Sequence, residues 1–196
     1  MKDCLKDVQE RAARDGREPQ MDVAVVEVGH LMALAARTAP KGMGKDYLDV
    51  RLLSGADVDK LGDAMVAYGE GADNKGFVRD GRNVISSAAV LLVGLRDHPP
   101  AGLDCNGCGF GDCKGFSDAK ATSKGGRYQG PACVLRVQDL GIAVGSAAKT
   151  AQMHDVDNRV MYRPAVIAIE LGMVSKGVAL AIPLSATGKS PYFDRA

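Results

Sequence analysis

Cysteine spacing is the feature of this sequence that most constrains its structure. Four of the five cysteines fall in one short stretch, three at C-x2-C-x4-C spacing and one further on: Cys105, Cys108, Cys113 and Cys133. Two thiolates separated by two residues can bind one metal centre, because a tight turn points both sulfurs the same way. Glycines at 107, 109 and 111 fit such a turn, since glycine tolerates positive φ and lets backbone N–H groups approach an inorganic centre. The spacing therefore predicts a ligand set for one metal centre.

An iron–sulfur cubane is the favoured interpretation, and its alternatives are a disulfide, structural zinc and ordinary packing. A disulfide is disfavoured because the first residues are too polar for a secretory signal, and cytosolic thiols stay reduced. Zinc sites usually combine two C-x2-C pairs or Cys/His pairs, whereas no histidine lies between residues 99 and 153 here. Packing cysteines would lie in apolar runs, not among Gly, Asp, Asn and Lys. Structural zinc stays open as the rival.

The same stretch resembles a known cluster-binding domain. The run CNGCGFGDC, followed by a distant cysteine across a Lys/Gly-rich loop, is similar to the small four-iron four-sulfur domain of corrinoid iron–sulfur proteins. The B subunit of Rnf-type electron-transport complexes has a similar domain. The resemblance implies one four-iron four-sulfur cluster with four ligands: Cys105, Cys108, Cys113 and Cys133.

Basic residues flank the cysteine loop: Lys114, Lys120, Lys124 and Arg127. They would offset the negative charge of a thiolate-bound cluster or dock an acidic redox partner protein. A merely solvated loop explains them equally well.

Composition narrows the class of protein further. With 196 residues, 46% of them apolar and 25% charged, the chain has enough material for one globular domain with a real core. A formal net charge of +1 does not favour nucleic acid or an anionic membrane. No apolar run approaches the roughly 20 residues that span a bilayer. We therefore expect a cytoplasmic protein that binds neither nucleic acid nor membrane.

Hydrophobic periodicity predicts helices and strands in mixed order, hence an α+β domain. A broadly apolar second helix would hold His30 in the core or at an interface. A continuous apolar run would form a central strand covered on both faces. The predicted helices span residues 2–14, 22–37, 57–70, 138–152 and 164–173, and the strands span 47–53, 88–95 and 178–183.

Residues 183–190 end like a phosphate-binding loop but are not predicted to be one. Pro183 replaces its first glycine, and too few residues follow for a helix to complete the cradle. This excludes a nucleotide triphosphatase. Gly188 and Lys189 could still contact a single phosphate, although a C-terminal turn is the plainer interpretation.

Three segments resemble flavin-dependent nitroreductases. They are the helix–strand link 36–47, the small-residue stretch 139–147, and the segment from 168 to the C-terminal Gly-Lys-x-x-x-Phe-x-Arg. From about residue 20 to Arg195 the chain is similar to a family of uncharacterised ferredoxin-domain proteins that combines this fold with the cluster motif. The resemblance implies a single nitroreductase-like domain over residues 1–196, with a central sheet flanked by helices and a 4Fe-4S-binding segment inserted at 99–134. It also implies a homodimer and FMN contacts at five residues: Arg37, Thr38, Lys41, Gly42 and Lys189.

Three hypotheses about function follow. In the first, the protein is a redox enzyme in which FMN and the cluster exchange electrons. In the second, it is a non-catalytic electron carrier or redox sensor that binds no flavin. In the third, it is a scaffold stapled by zinc. No catalytic residue is identified, and the sequence leaves open whether the protein is an enzyme.

Overall fold

The computed structural model describes residues 2–122 and 126–193, and it describes residues 2–4 and 122 by their backbone alone. Within these residues the chain forms seven α-helices, four strands and two short 3-10 turns. The helices are α1 (Lys2–Arg14), α2 (Pro19–Thr38), α3 (Ala56–Gly71), α4 (Lys75–Ile85), α5 (Cys113–Thr122), α6 (Val134–Met153) and α7 (Arg163–Glu170). The strands are β1 (Leu48–Ser54), β2 (Ala89–Leu95), β3 (Asp157–Asn158) and β4 (Ala179–Ser185), and the 3-10 turns are Gly42–Gly44 and Pro191–Phe193.

The strands form one antiparallel sheet in the order β1-β2-β4-β3. All residues of β2 are buried, which confirms the predicted strand with both faces covered. Leu48 pairs with Leu95, and Ser54 pairs with Ala89. Ala89 also pairs with Leu184 at the end of β4. The cysteine segment leaves β2 at Leu95, so it starts beside the beginning of β1.

Helices cover both faces of the sheet and divide the core into two layers. On one face α1, α2 and α6 pack against side chains that include Leu91, Val93 and Ile182. On the other face α3, α4 and α7 pack against Val90 and Leu92. Alternate residues of β2 thus serve opposite layers, as the pleat of a strand requires. The predicted α+β class is confirmed.

Element boundaries differ from the prediction where local signals compete. α4 and β3 were not predicted, since Gly76 and Gly81 lower the helix propensity of α4 and β3 has only two residues. The N-terminus of α4 is capped by Asn74, whose side chain accepts the N–H groups of Gly76 and Phe77. α7 ends at Glu170, shortly before Gly172 takes a positive φ. α6 begins at Val134, one turn before the predicted start, and this places Cys133 at its N-cap.

Two further expectations bear on the surface. The prediction that His30 lies in the core is wrong, because this residue is exposed on α2, and its place in an interface stays a prediction. Among the helices that the structure describes, none is both long and apolar enough to cross a membrane.

Candidate metal centre and the adjacent pocket

All four predicted ligands lie between the end of β2 and the start of α6. Cys105 and Cys108 occupy the loop that precedes α5, and Cys113 is the first residue of α5. Cys133 is the N-cap of α6 and is buried, whereas Cys105 is exposed. All four are free thiols, so the disulfide alternative finds no support at these positions.

The loop is fixed by side chains that accept its own backbone N–H groups. Asp104 Oδ1 accepts the N–H of Cys113 at 2.9 Å, and Asn106 Oδ1 accepts the N–H of Gly111 at 2.8 Å. Asp104 and Asn106 have φ values of 45° and 53°, in the left-handed region that Asp and Asn tolerate better than most residues. Asp104 directly precedes Cys105. Its hydrogen bond from the N–H of Cys113 therefore brings the backbone of the first predicted ligand close to that of the third.

A close approach of Gly107 brings the first two ligands to the fourth. A Cβ added at Gly107 would lie 2.6 Å from Val134 Cγ1 and 3.6 Å from Cys105 Sγ. Val134 is the first residue of α6 and follows Cys133 directly. The C-x2-C turn therefore rests on the N-terminus of α6, at a point where only glycine fits without displacement.

The four cysteines are neighbours, but their side chains do not form a closed coordination shell. Among the side chains that the structure describes, in residues 5–121 and 126–193, no three of His, Cys, Asp or Glu are arranged to hold a metal ion. The donor chemistry fits a cluster or zinc nonetheless, because free thiols become thiolate ligands. Cys113 and Cys133 stand at the N-termini of α5 and α6.

A buried histidine, which the sequence analysis did not single out, accepts the backbone N–H of the fourth predicted ligand. The Nε2 of His98 accepts the backbone N–H of Cys133 at 3.1 Å, and its Nδ1 lies 2.9 Å from the carbonyl oxygen of Arg96. Burial lowers the pKa of His98, and the positive charge of Lys120 acts in the same direction. The imidazole is therefore neutral near pH 7, with its proton on Nδ1.

The basic residues around the loop mostly have local partners. Lys114 pairs with Asp118 at 2.6 Å, and Lys120 pairs with Asp97 at 2.6 Å. The hydrogen bond from Lys120 lowers the pKa of Asp97. Arg127 bonds two tyrosine hydroxyls, and Lys124 lies outside the described residues. These contacts reduce the positive charge that the loop could offer to an acidic partner, and a redox partner stays a prediction.

The predicted flavin contacts on α2 are engaged in local bonds. Arg37 Nη1 donates to Asp46 Oδ2 at 2.6 Å and to the carbonyl of Leu48 at 2.9 Å. Burial raises the pKa of Asp46, but the N–H of Leu48 and the guanidinium of Arg37 outweigh it and hold the pKa below its usual value. Thr38 Oγ1 donates to the carbonyl of Leu34, within the same helix. Arg37 thus links the end of α2 to the start of β1.

Lys41 caps the C-terminus of α2. Its Nζ donates to the carbonyls of Ala36 at 3.0 Å, Arg37 at 2.5 Å and Ala39 at 2.8 Å. Positive charge is favoured at a helix C-terminus, where carbonyls lack intrahelical partners. Capping therefore accounts for Lys41 without any ligand.

Gly42 is clamped by an ion pair on α6. Its N–H donates to Asp139 Oδ1 at 2.7 Å, and its carbonyl accepts from Arg136 Nη1 at 2.9 Å. Arg136 and Asp139 pair at 3.1 Å and are both buried. The Arg136 guanidinium also lies 4.9 Å from the ring centroid of Tyr47, a cation–π distance. Thus α6, the helix that Cys133 caps, holds Gly42, which was predicted to contact a flavin.

A pocket of about 390 Å³ lies between the 40–43 segment and the cysteine segment. Small-molecule sites usually measure roughly 300–1,000 Å³. The lining of this pocket is mainly apolar and comes from the 40–43 segment, the cysteine segment and α6; it includes Lys41, Gly42, Met43, Leu103, Arg136 and Ile142. The pocket is therefore next to the cysteine loop.

Lys189, the fifth predicted flavin contact, lies at the opposite end of the sheet. It follows β4, whose last residues pair with the beginning of β2 at Ala89. The 3-10 turn Pro191–Phe193, which follows Lys189, lies at the same end of the sheet. The hydroxyl of Tyr192 in this turn lies 2.9 Å from that of Ser87, just before β2. Arg37 instead contacts Leu48 at the other end of β2, roughly 20 Å away along a seven-residue strand. One chain does not bring the five residues together.

Comparison with known proteins identifies a family and a fold. The family described as "uncharacterized protein containing a ferredoxin domain" matches residues 129–195, which include Cys133 but not the other three predicted ligands. An uncharacterized protein of Archaeoglobus fulgidus is 45% identical over 166 residues, which are 85% of this chain and 89% of that protein.

Solved nitroreductases share the fold at low sequence identity. The FMN-dependent nitroreductase NfnB from Mycobacterium smegmatis, in complex with NADPH, gives a TM-score of 0.53 at 14% identity, covering 87% of this chain and 84% of that one. A nitroreductase with bound FMN from Desulfitobacterium hafniense gives 0.52 at 15% identity, covering 86% and 82%. The predicted nitroreductase-like fold is thereby confirmed.

Proposed function

Because this chain belongs to the family of uncharacterized proteins that contain a ferredoxin domain, we propose that it is an iron–sulfur redox protein. One four-iron four-sulfur cluster would be held by Cys105, Cys108, Cys113 and Cys133. The observation that carries the proposal is the seat of the C-x2-C turn on α6, where Gly107 meets Val134 beside Cys133. Cys113 and Cys133 stand at the N-termini of α5 and α6, so these two helices would position two of the four ligands.

The burial of the thiols supports electron transfer as the activity. A bound cluster of this type stores and releases single electrons. Cys105 is exposed and Cys133 is buried, so a redox partner would approach the cluster from the Cys105 side. Leu103 and Phe110, at 60% and 39% exposure, surround that side with apolar surface.

The test is the metal and sulfide content of protein purified without oxygen. We expect about four irons and four sulfides per chain. Replacing any one of Cys105, Cys108, Cys113 and Cys133 by alanine is expected to abolish or convert the cluster, whereas Cys4→Ala leaves it intact. Stoichiometric zinc without iron would instead favour the zinc-stapled scaffold. Full cluster retention in Cys133→Ala would reject the four-ligand set.

A flavin-dependent oxidoreductase is the second candidate, favoured by the pocket beside the cysteine loop. Nitroreductases of the same fold use FMN, and a bound FMN would supply two-electron chemistry. In this chain Lys41, Gly42 and Arg136 line the pocket. Absorption of the purified protein separates the hypotheses, because flavin gives distinct yellow bands and a cluster gives a broad shoulder. Protein that carries a cluster and takes up no FMN would be the electron carrier or sensor.

A homodimer completes the proposal. The packed pair α2 and α6 exposes large apolar side chains, among them Leu34 at 59% and Ile142 at 46%. Gly141 and Gly145 on α6 have open space where a side chain would project. A second copy of the chain could approach this face closely, since small residues let helix backbones come together. Sedimentation equilibrium of the iron-loaded protein should give twice the chain mass of 20.5 kDa.

A further inference from the structure

A buried imidazole lies where the cysteine segment leaves the sheet. His98 is 5% exposed, and its ring lies near those of Tyr47 and Phe116, with centroid separations of 6.2 and 6.3 Å. One ring nitrogen meets the Arg96 carbonyl at 2.9 Å, and the other accepts the N–H of Cys133 at 3.1 Å. Both nitrogens are therefore used, and only the neutral ring with its proton on Nδ1 satisfies both contacts.

The contacts of His98 reach both helices that begin at a predicted ligand. Its aromatic neighbour Phe116 lies on α5, which starts at Cys113, and its hydrogen-bond donor Cys133 is the N-cap of α6. Lys120 on α5 donates to the backbone carbonyl of His98. His98 therefore joins the starts of α5 and α6 to the end of β2.

We infer that His98 is a positioning residue of the iron–sulfur site, an inference that rests on the proposed function. By accepting the N–H of Cys133, the ring fixes the peptide that carries the fourth ligand and keeps this donor away from cluster sulfur. N–H groups that reach sulfur stabilise the extra negative charge of a reduced cluster, so they raise its reduction potential.

Three variants of the full chain, reconstituted with iron and sulfide without oxygen, test this role. His98→Phe keeps a ring near Tyr47 and Phe116 but removes the acceptor, and His98→Gln offers an amide oxygen in its place. His154→Gln, at an exposed histidine, is the matched control. The measurements are iron and sulfide per chain, the rate of iron loss to a chelator, and the reduction potential.

We expect His98→Phe to lose iron about tenfold faster than wild type, at the lower end of the effect of partners that orient metal ligands. Its potential should shift upward, because the N–H of Cys133 becomes available to sulfur. His98→Gln should restore most of both properties, and His154→Gln should match wild type. If His98→Phe does not fold, as judged by circular dichroism, His98→Leu serves as the variant without an acceptor.

The outcomes separate this inference from the proposed function. Wild-type protein that holds neither iron nor sulfide rejects the proposed function and the inference with it. Wild-type protein with a full cluster, together with a His98→Phe variant of unchanged potential and iron retention, overturns the inference alone. A folded His98→Gln variant as labile as His98→Phe also overturns it, because the hydrogen bond would then not be the cause.

Discussion

Gly107 is a residue at which the thiol loop and α6 come into close contact. A Cβ there would lie 2.6 Å from Val134 Cγ1, closer than real Cβ atoms come to a neighbour. Gly107 does not have a positive φ, whereas Gly109 and Gly111 do. The need for glycine at 107 is therefore one of contact and not of backbone conformation. A substitution at Gly107 therefore tests packing against Val134 and does not test backbone strain.

Gly107→Ala is expected to push the C-x2-C turn away from α6 and to reduce cluster retention without unfolding the protein. Overpacking of this kind costs roughly 1–3 kcal/mol. Removing the opposing methyl groups should relieve it, so the double variant Gly107→Ala/Val134→Ala should recover most of the iron content. Iron and sulfide per chain, measured after anaerobic purification, report the effect.

The control for that experiment is Gly71→Ala, at the end of α3, where an added Cβ meets no atom within 4 Å. It should leave the iron content at the wild-type level. If Gly107→Ala retains a full cluster, the contact with Val134 does not position the ligands. Failure of the double variant to recover iron would point to a different cause of the loss.

At the scale of residues, the sequence predicts which side chains could bind a metal better than it predicts which residues are in contact. The cysteine spacing and its glycines follow from ligand chemistry, and they suffice to propose the metal centre. His98 was not recognised, because its partner Cys133 is 35 residues away and the hydrogen bond exists only after the chain folds. Lys41 was predicted at a flavin, and in the folded chain its three contacts are with carbonyls at the C-terminus of α2.

At the scale of elements, α6 connects the metal centre to the adjacent pocket. Its N-cap is a predicted ligand, and one turn later Arg136 and Asp139 clamp Gly42. Its early start was missed because no Ser, Thr, Asp or Asn stands at the N-cap position, where those residues mark most helix starts. α4 was missed because its two glycines hide an amphipathic pattern. The long apolar elements α2 and β2 were predicted because their apolar runs leave a clear signal, although only β2 is buried throughout and α2 buries one face.

Asp139→Ala is expected to lower the free energy of unfolding by about 3–5 kcal/mol, because it leaves the buried Arg136 without its charge partner. Replacing both residues by apolar ones, as in Arg136→Met/Asp139→Leu, should cost less than the single change. Urea unfolding measures both values. The matched control is Glu10→Ala, which removes an exposed pair with Lys6 and should cost below about 1 kcal/mol.

An Asp139→Ala effect no larger than that of Glu10→Ala would show that the clamp on Gly42 contributes nothing to stability. A double variant less stable than Asp139→Ala would show that the apolar replacements cannot fill the space between α6 and the 42–44 turn. Either result would count against the role of α6 in connecting the metal centre to the adjacent pocket.

At the scale of the whole molecule, the predicted flavin contacts divide between the two ends of the sheet. Arg37 and Gly42 lie where β1 begins, and Lys189 follows the end of β4. Sequence resemblance names these residues together but carries no information on the distance between them. Two copies of the chain, each supplying one of the two groups, could bring them to one flavin. The proposed homodimer would then complete the proposed flavin site.

Subunit mixing tests this arrangement. Arg37→Ala and Lys189→Ala should each weaken FMN binding about tenfold or more, since a charge-assisted hydrogen bond contributes roughly 1.5–3 kcal/mol. In a dimer of one Arg37→Ala chain with one Lys189→Ala chain, one site carries both defects and the other carries none. Such a dimer should bind one FMN with wild-type affinity, half the wild-type number, as measured by fluorescence quenching. Lys60→Ala, at an exposed lysine of α3, is the control and should change nothing. Mixed dimers that bind no better than either parent would place both residues on the same chain's site or on none, and the shared flavin site would be rejected.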